Sequence, residues 1–378
     1  MPPRAAEWRF KLMKKLIVVL ALILVAALML PACVSRTPGD AEDTTTSDLD
    51  IGQILDDLQN GTSGSEEAVA EVIYKAYDDH AEVVGCKLPV GNVEILSEFE
   101  GKKVTKVADG AFHGLNTVTS IVIPEGVTSI GEQSFMSCSA LESISLPASL
   151  ESIGKYAFYG CISLKEIEIS AGVKAIGDNA FGFCNLITEM KVSASNPNYT
   201  VEDGVLFSAD KTTLVCYPTG KADESYTIPA SVTTVNNFAF AYVSALTSVS
   251  MSNVTSLGDY TFGSCSKLAN VDLGTGLTYI GAGTFQKCTS LVSITIPEGV
   301  TSIGYKDSEG YERGASFYDC TALTTITLPS TLQTIYLRSF DACTSLNKVI
   351  YKGGAANWSN VTIGEDNTCL SSIGVVDQ

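Results

Sequence analysis

IPEGVTSIGEQSFMSCSALESISLP, residues 123–147, is one copy of a sentence that recurs along most of this chain. The general form is apolar-x-x-Leu-x-x-Ile-x-Ile-Pro, then x-x-Val-x-x-Ile-Gly, then x-x-Ala-Phe-x-x-Cys. The phenylalanine falls at 112, 135, 158, 181, 240, 262, 285, 317 and 340. Most steps are 23 residues and one is 22; steps of 59 and 32 read as insertions of about 36 and nine residues. A fixed period in the twenties means a solenoid, which settles the fold before any local reading. Solenoids present long surfaces to partners and rarely enclose a catalytic cleft.

Each unit has a physical grammar. In Leu141 to Leu146, Ile144 and Leu146 alternate inward while Ser143 and Ser145 point out. Pro147 ends the strand because proline cannot donate to a ladder. Leu150 and Ile153 return to the core, and Gly154 permits a tight turn. Ala157, Phe158 and Cys161 then fit one side of a short helical turn. One unit cannot bury its apolar face alone, so stacking neighbours must make the core.

These fixed positions, over roughly residues 80–352, make the chain resemble the BspA-type (Treponema-type) bacterial leucine-rich repeats. The resemblance implies a repeat solenoid, mostly β: a right-handed superhelix with the Leu-x-x-Ile-x-Leu strands in a parallel sheet on the concave face. Short helical or 3-10 turns would line the other side. Members of that family are associated with adhesion and surface recognition.

The flanks read differently. Lys14 and Lys15 precede the apolar run 16–30, a signal-peptide pattern too short for a membrane span. Leu30-Pro31-Ala32-Cys33 resembles a lipobox, which implies cleavage before Cys33 and lipidation of its thiol; residues 1–33 are then the signal peptide, with Met13 a second candidate start. Residues 34–64 carry seven acids against one base and no aromatic residue, the composition of a disordered acidic linker. Residues 65–100 are expected to cap the stack, with a short helix over 66–76 N-capped by Ser65 and a strand over 81–86. The repeats occupy 101–352, and 353–378 form a C-terminal cap, with Trp358 and Ile363 covering the last rung and a frayed tail from Gly374.

The chain carries a formal charge of −18, and removing 1–33 takes away five bases and one acid, leaving it more acidic still. That excludes nucleic acid and anionic membrane as natural partners; contact with a membrane would run through the lipid anchor. Seven cysteines (138, 161, 184, 265, 288, 320 and 343) lie three residues after the phenylalanine. One per repeat gives no tetrahedral cluster for a metal. Leu115 and Val243 fill the same slot elsewhere, so buried free thiols are favoured over bridges between rungs. Cys86, Cys216 and Cys369 stand off this ladder. His80 and His113 have no serine or cysteine partner by spacing, and no motif for a nucleophile, phosphate or zinc is present. No catalytic, metal or cofactor residue is assigned, and the chain is not read as an enzyme.

Within the long step, 205–207 and 214–217 read as two strands around a polar turn, part of a hairpin insertion near 194–225. The loop insertion 305–313 is polar and flexible in composition, and carries Tyr305, Tyr311 and Arg313, residue types enriched at hot spots. The outward columns of the repeat strands are mostly hydroxyls with acids at the early centre, and they lack an aromatic cluster. Candidate partner contacts are Ser143, Ser145, Glu166, Glu168, Ser293 and Thr295, together with Tyr305, Tyr311 and Arg313. The expectation is a lipid-anchored cell-surface protein that binds a protein partner, a host matrix component or another cell's surface. The alternatives are a structural envelope protein or a substrate-binding accessory to another surface enzyme or transporter.

Overall fold

The computed structural model describes residues 70–87, 89–371 and 373–377. The segments expected to be signal peptide and acidic linker, with Cys33 and Ser65, lie outside the described residues. The described chain is a parallel β-solenoid with three columns per rung. Strands such as Ser143–Ser145 form the first sheet, pairing in register with Val118–Val122 so that Ser120, Ile121 and Val122 face Ser143, Ile144 and Ser145. Two-residue strands form the second, Ser129↔Ser152 and Ile130↔Ile153. The 23-residue period brings like residues to neighbouring rungs, so Leu141, Leu150, Phe158 and Cys161 are fully buried. The glycine after Ile153 stacks directly on backbone: a Cβ on Gly154 would lie 2.5 Å from the Gly131 carbonyl carbon.

The third column is a wall of turns. The backbone alternates between right- and left-handed residues, with φ of 54° at Gln133 and 60° at Ser137. Alternate N–H groups close local turns (Met136 to Gln133, Cys138 to Phe135), while Gln133, Phe135 and Ser137 donate to Lys155, Ala157 and Tyr159 of the next rung. Ala157 and Cys161 reach the core from this ribbon and not from a helical turn. Inside it the phenylalanines stack nearly parallel, with centroids 5.1, 5.2 and 5.8 Å apart from Phe112 to Phe181. Each buried ring contributes about 1.5–3 kcal/mol. The glutamate of Pro-Glu-Gly ties rungs together at the first corner: Glu125 accepts from the N–H groups of Ala148 and Ser149 at 2.8 and 3.1 Å.

The N-terminal cap is a hairpin. Glu71–Ala76 pairs antiparallel with Ala81–Lys87, replacing the expected helix over the described part of 66–76. Val72, Ile73 and Tyr74 are strand formers, and the Asp78–Asp79 turn, closed by Tyr77 N–H to His80 O, returns the chain at once. The second hairpin strand then lies parallel to Lys102–Val107 and covers the open edge of the second sheet.

The 59-residue step hides a rung. Tyr217 lies 36 residues after Phe181 and 23 before Phe240, and it stacks on Phe240 at 4.9 Å in the phenylalanine slot. The true surplus is therefore 13 residues and not 36. It forms part of a meander of Tyr199–Glu202, Val205–Ser208 and Thr213–Cys216. The last of these runs parallel to Thr234–Val235 as that rung's second-sheet strand, and Ser225–Thr227 supplies its first-sheet strand. The meander interrupts both ladders: the second sheet stops at Ala175–Ile176 and resumes with the meander, and the first stops at Lys191–Val192 and resumes at Ser225. Buried side chains accordingly form two clusters, one up to Leu206 and one from Val205 onward. Side-chain amides bridge the seam, with Asn196 Nδ2 donating to Ser170 O (2.7 Å) and Asn237 Nδ2 to Asp178 Oδ2 (3.0 Å).

The second insertion is an ordered hairpin, Tyr305–Lys306 against Glu312–Arg313. At the C-terminus, Thr362–Ile363 joins the second sheet and Val375–Val376 the first. The segment expected to fray therefore completes a further rung. Trp358 packs edge-on against Tyr351 at 5.4 Å, over the core.

Candidate partner-binding face

The first sheet places the predicted contacts in columns. Ser143, Ser145, Glu166, Glu168, Ser293 and Thr295 are all solvent-exposed, and the register sets Glu168 beside Lys191 and Ser293 beside Thr325. Two grooves run across this face. The first, of about 370 Å³, is lined by Ser145, Glu166, Glu168, Ser170, Lys191 and Ser193 among others. In it Glu166 pairs with Lys191 at 2.5 Å, which holds the Glu166 carboxyl below the usual carboxylate range and raises Lys191. The Ser170 hydroxyl is buried there without a hydrogen-bond partner among the described residues. The second groove, of about 570 Å³, is lined by the hydroxyl and amide side chains of Ser225, Thr227, Ser248, Ser250, Asn270, Ser293 and Thr295, with Asp272 as its acid.

Ser225 and Thr227 belong to the hidden rung and were missed in the sequence. The signal was Tyr226-Thr227-Ile228-Pro229, which carries the Ile-x-Ile-Pro pattern one residue displaced in type, with tyrosine for isoleucine.

Tyr305, Tyr311 and Arg313 are not brought to this sheet. Their hairpin leaves from the end of the second-sheet strand Ser302–Ile303. Within it, the Tyr305 hydroxyl donates to Asp259 Oδ2 at 2.6 Å, and burial together with that carboxylate raises its pKa. Arg313 is engaged by Asp307 at 2.7 Å, whose other oxygen accepts from the N–H groups of Glu309 and Tyr311. Tyr311 and Arg313 are both presented to solvent, Tyr311 at 63% exposed, while Tyr305 is partly buried.

The cysteine ladder has a role beyond filling space. Each thiol donates to the phenylalanine carbonyl of the preceding rung, from Cys138 to Phe112 O at 3.0 Å through Cys343 to Phe317 O at 3.0 Å. Cys369, which stood off the ladder in sequence, makes the same bond to Phe340 O at 3.2 Å. The described cysteines at 86, 138, 161, 184, 216, 265, 288, 320 and 343 are free thiols. Burial pushes the thiols up, Cys138 to about 11 and Cys265 to about 12. His80 sits at the cap turn, bonded to Asp79 at 2.6 Å and stacked on Tyr77. Among the described residues no group of three or more His, Cys, Asp or Glu side chains is placed to hold a metal ion, and no helix is long and apolar enough to cross a membrane.

The BspA type leucine rich repeat region matches residues 101–214, 216–307 and 313–366, in six copies. The chain belongs to this family. Among solved structures, a leucine-rich repeat protein from Eubacterium ventriosum is 21% identical with a TM-score of 0.53, covering 79% of this chain and 91% of its own. The pneumococcal vaccine antigen PcpA is 21% identical with a TM-score of 0.51, covering 82% and 97%. A leucine rich cell surface protein from Faecalibacterium prausnitzii is 24% identical over 80% of this chain and 98% of its own, with a TM-score of 0.47. No curated protein matches the chain. The fold is thus a leucine-rich-repeat solenoid similar to those of other bacterial leucine-rich repeat proteins.

Proposed function

We propose that this chain is a cell-surface lipoprotein that binds a protein partner along its first sheet. The observation that carries this reading is the pair of grooves on one outward face, lined by short hydroxyl, amide and carboxylate side chains. Short polar side chains lose little rotamer freedom on binding, so a broad, shallow face can hold a partner through many small contacts. The acidic groove suits a basic side chain, which Glu168 and the unpartnered Ser170 hydroxyl would receive. Lipidation at Cys33 and the acidic linker would hold this face away from an anionic membrane. The chain is read as a binding module.

The test is capture by the full chain of host matrix proteins and of the producer's own surface extract. A variant with Ser145, Glu168, Ser293 and Thr295 changed to lysine runs beside it. Capture lost in the variant supports the reading. Capture indifferent to the variant moves the contact off this sheet, and capture of envelope components alone favours the structural alternative.

A further inference from the structure

The aromatic cluster missing from the first sheet stands on the turn wall. Tyr156, Tyr159, Phe183, Phe238, Tyr242 and Tyr260 come from rungs on both sides of the seam. They form one connected patch, with Phe183 and Tyr242 at 4.2 Å, Tyr159 and Tyr242 at 5.8 Å, Tyr156 and Phe238 at 6.0 Å, and Phe238 stacked on Tyr260 at 5.0 Å. None of the six is buried, and Phe183 is 37% exposed.

Their backbone is that of the turn wall as a whole. Five of them have left-handed φ, from 54° at Tyr260 to 67° at Tyr242. The equivalent positions of other rungs share this conformation and hold either glycine, at 110, 114, 160 and 283, or small and polar residues such as Gln133, Ser137, Ser264 and Ala315, so the rings and not the backbone set these rungs apart. The hidden rung gives a partial reason. Its Pro218-Thr219-Gly220 segment takes the place of a full outward turn, and the rings reach across the gap. Bridging alone does not account for what lies beneath them. A cleft of about 30 Å³ opens between the rungs of Phe181 and Tyr217, with Asn179, Thr219 and Asp178 in its lining. Asn179 and Thr219 are each 8% exposed, and Asn179 Nδ2 and Thr219 Oγ1 have no hydrogen-bond partner among the described residues. Buried polar atoms left unpaired are costly and call for a partner.

We infer that this patch is a binding site for a neutral glycan. Half-exposed rings with hydroxyl edges offer flat apolar faces beside hydrogen-bonding groups, which is the pairing a pyranose presents in its C–H face and its hydroxyls. The cleft has room for one or two groups of water size, at about 10–15 Å³ each. It admits a hydroxyl or hydroxymethyl group and excludes an amino-acid side chain of anchor size. A sugar hydroxyl both donates and accepts, so it can satisfy the Asn179 amide and the Thr219 hydroxyl together. The Asp178 carboxylate in the lining and the chain's charge of −18 repel acidic glycans. The site lies off the first sheet and stands independently of the partner proposed for that face.

The experiment presents the full chain to an array of neutral oligosaccharides (glucan, mannan and N-acetylglucosamine oligomers) with acidic glycans alongside, and then measures affinity for any that are retained. Phe183→Gly with Tyr242→Gly removes the central rings while placing the residue that other rungs carry there. Asn179→Asp keeps the shape and removes the amide donor. Glu168→Lys is the control on the sheet. The expected result is retention of a neutral oligosaccharide whose Kd rises at least tenfold in the double variant and in Asn179→Asp, and is unchanged in Glu168→Lys. Retention of no neutral oligosaccharide overturns the inference, as does retention that survives both variants. Binding only of polypeptides at this patch also overturns it.

Discussion

Two insertions break the period, and the structure treats them oppositely. The segment between Phe181 and Phe240 is taken into the stack: Val205, Phe207, Leu214 and Tyr217 are all buried, and the segment contributes strands to both sheets. The segment 305–313 stays outside it, a two-stranded hairpin with Tyr311 in solvent and an Asp307–Arg313 ion pair at its base. Length does not separate them as well as composition does. The first carries alternating large apolar residues and can bury them. The second is Tyr-Lys-Asp-Ser-Glu-Gly-Tyr-Glu-Arg and has almost nothing to bury. An insertion joins a solenoid when it brings its own share of core.

The comparison breaks most decisively at Tyr217. Tyr217→Ala should destabilise the chain by about 3–5 kcal/mol, as for other large-to-small core changes, read as a fall in the urea midpoint. An unchanged midpoint would mean that the insertion is decoration like the hairpin. Next in size is the response to alkali, which asks whether the inner columns run unbroken past both insertions. Unfolded thiols ionise near their ordinary value of 9, while burial holds Cys138 up at about 11 and Cys265 and Cys343 at about 12. Their contribution is complete below pH 9 and is lost as pH rises toward 12. The urea midpoint should therefore fall across that window, and Cys265→Val, which installs the residue found at 243, should flatten the fall. A midpoint flat with pH in the parent chain would place the thiols in water.

Tyr217→Phe sharpens the comparison further. It keeps the ring and loses only the 2.9 Å bond to Asp223, which should reduce stability by roughly 0.5–1.5 kcal/mol; a loss as large as that of Tyr217→Ala would shift the emphasis from packing to polarity. Glu125→Gln should alter acid sensitivity. The N–H groups of Ala148 and Ser149 hold the Glu125 carboxyl low, so its contribution is present above the ordinary carboxylate pKa and disappears as pH falls through the lowered one. The difference in urea midpoint between parent and variant should therefore shrink as pH falls below the ordinary carboxylate range. Smallest of all, Arg313→Ala should leave the melting temperature within error, because exposed ion pairs contribute little. A clear drop would show that the hairpin braces the stack.

The repeat grammar made most of this molecule legible. Fixed spacing of Leu, Ile, Phe and Cys located the sheets, the ring stack and the buried thiols. It also oriented Ser143, Ser145, Glu166 and Glu168 outward. Where a slot changed chemistry the pattern was lost: tyrosine at 217 and 226 concealed a rung, and Cys369 was hidden by an irregular spacing. The cap strand 71–76 read as a helix because its apolar residues fit either period, and pairing with 81–87 decided between them. The aromatic patch was out of reach for a different reason. Tyr156 and Phe238 are 82 residues apart in sequence, on either side of the interrupted rungs, and only the fold brings them within 6.0 Å.

The thiol-to-carbonyl bonds give the chain a set of internal clocks. Each sulfur is sheltered only while it remains seated against the rung before it, and each has its own place along the axis. Brief exposure to an alkylating reagent, followed by mapping of the modified cysteines, would order the rungs by how often they part. Fraying from the ends would mark Cys343 and Cys138 first. Parting at the seam would mark Cys184, a rung whose thiol lies at the boundary between the two buried clusters. The sequence thus carries, unmodified, the labels needed to film its own unwinding.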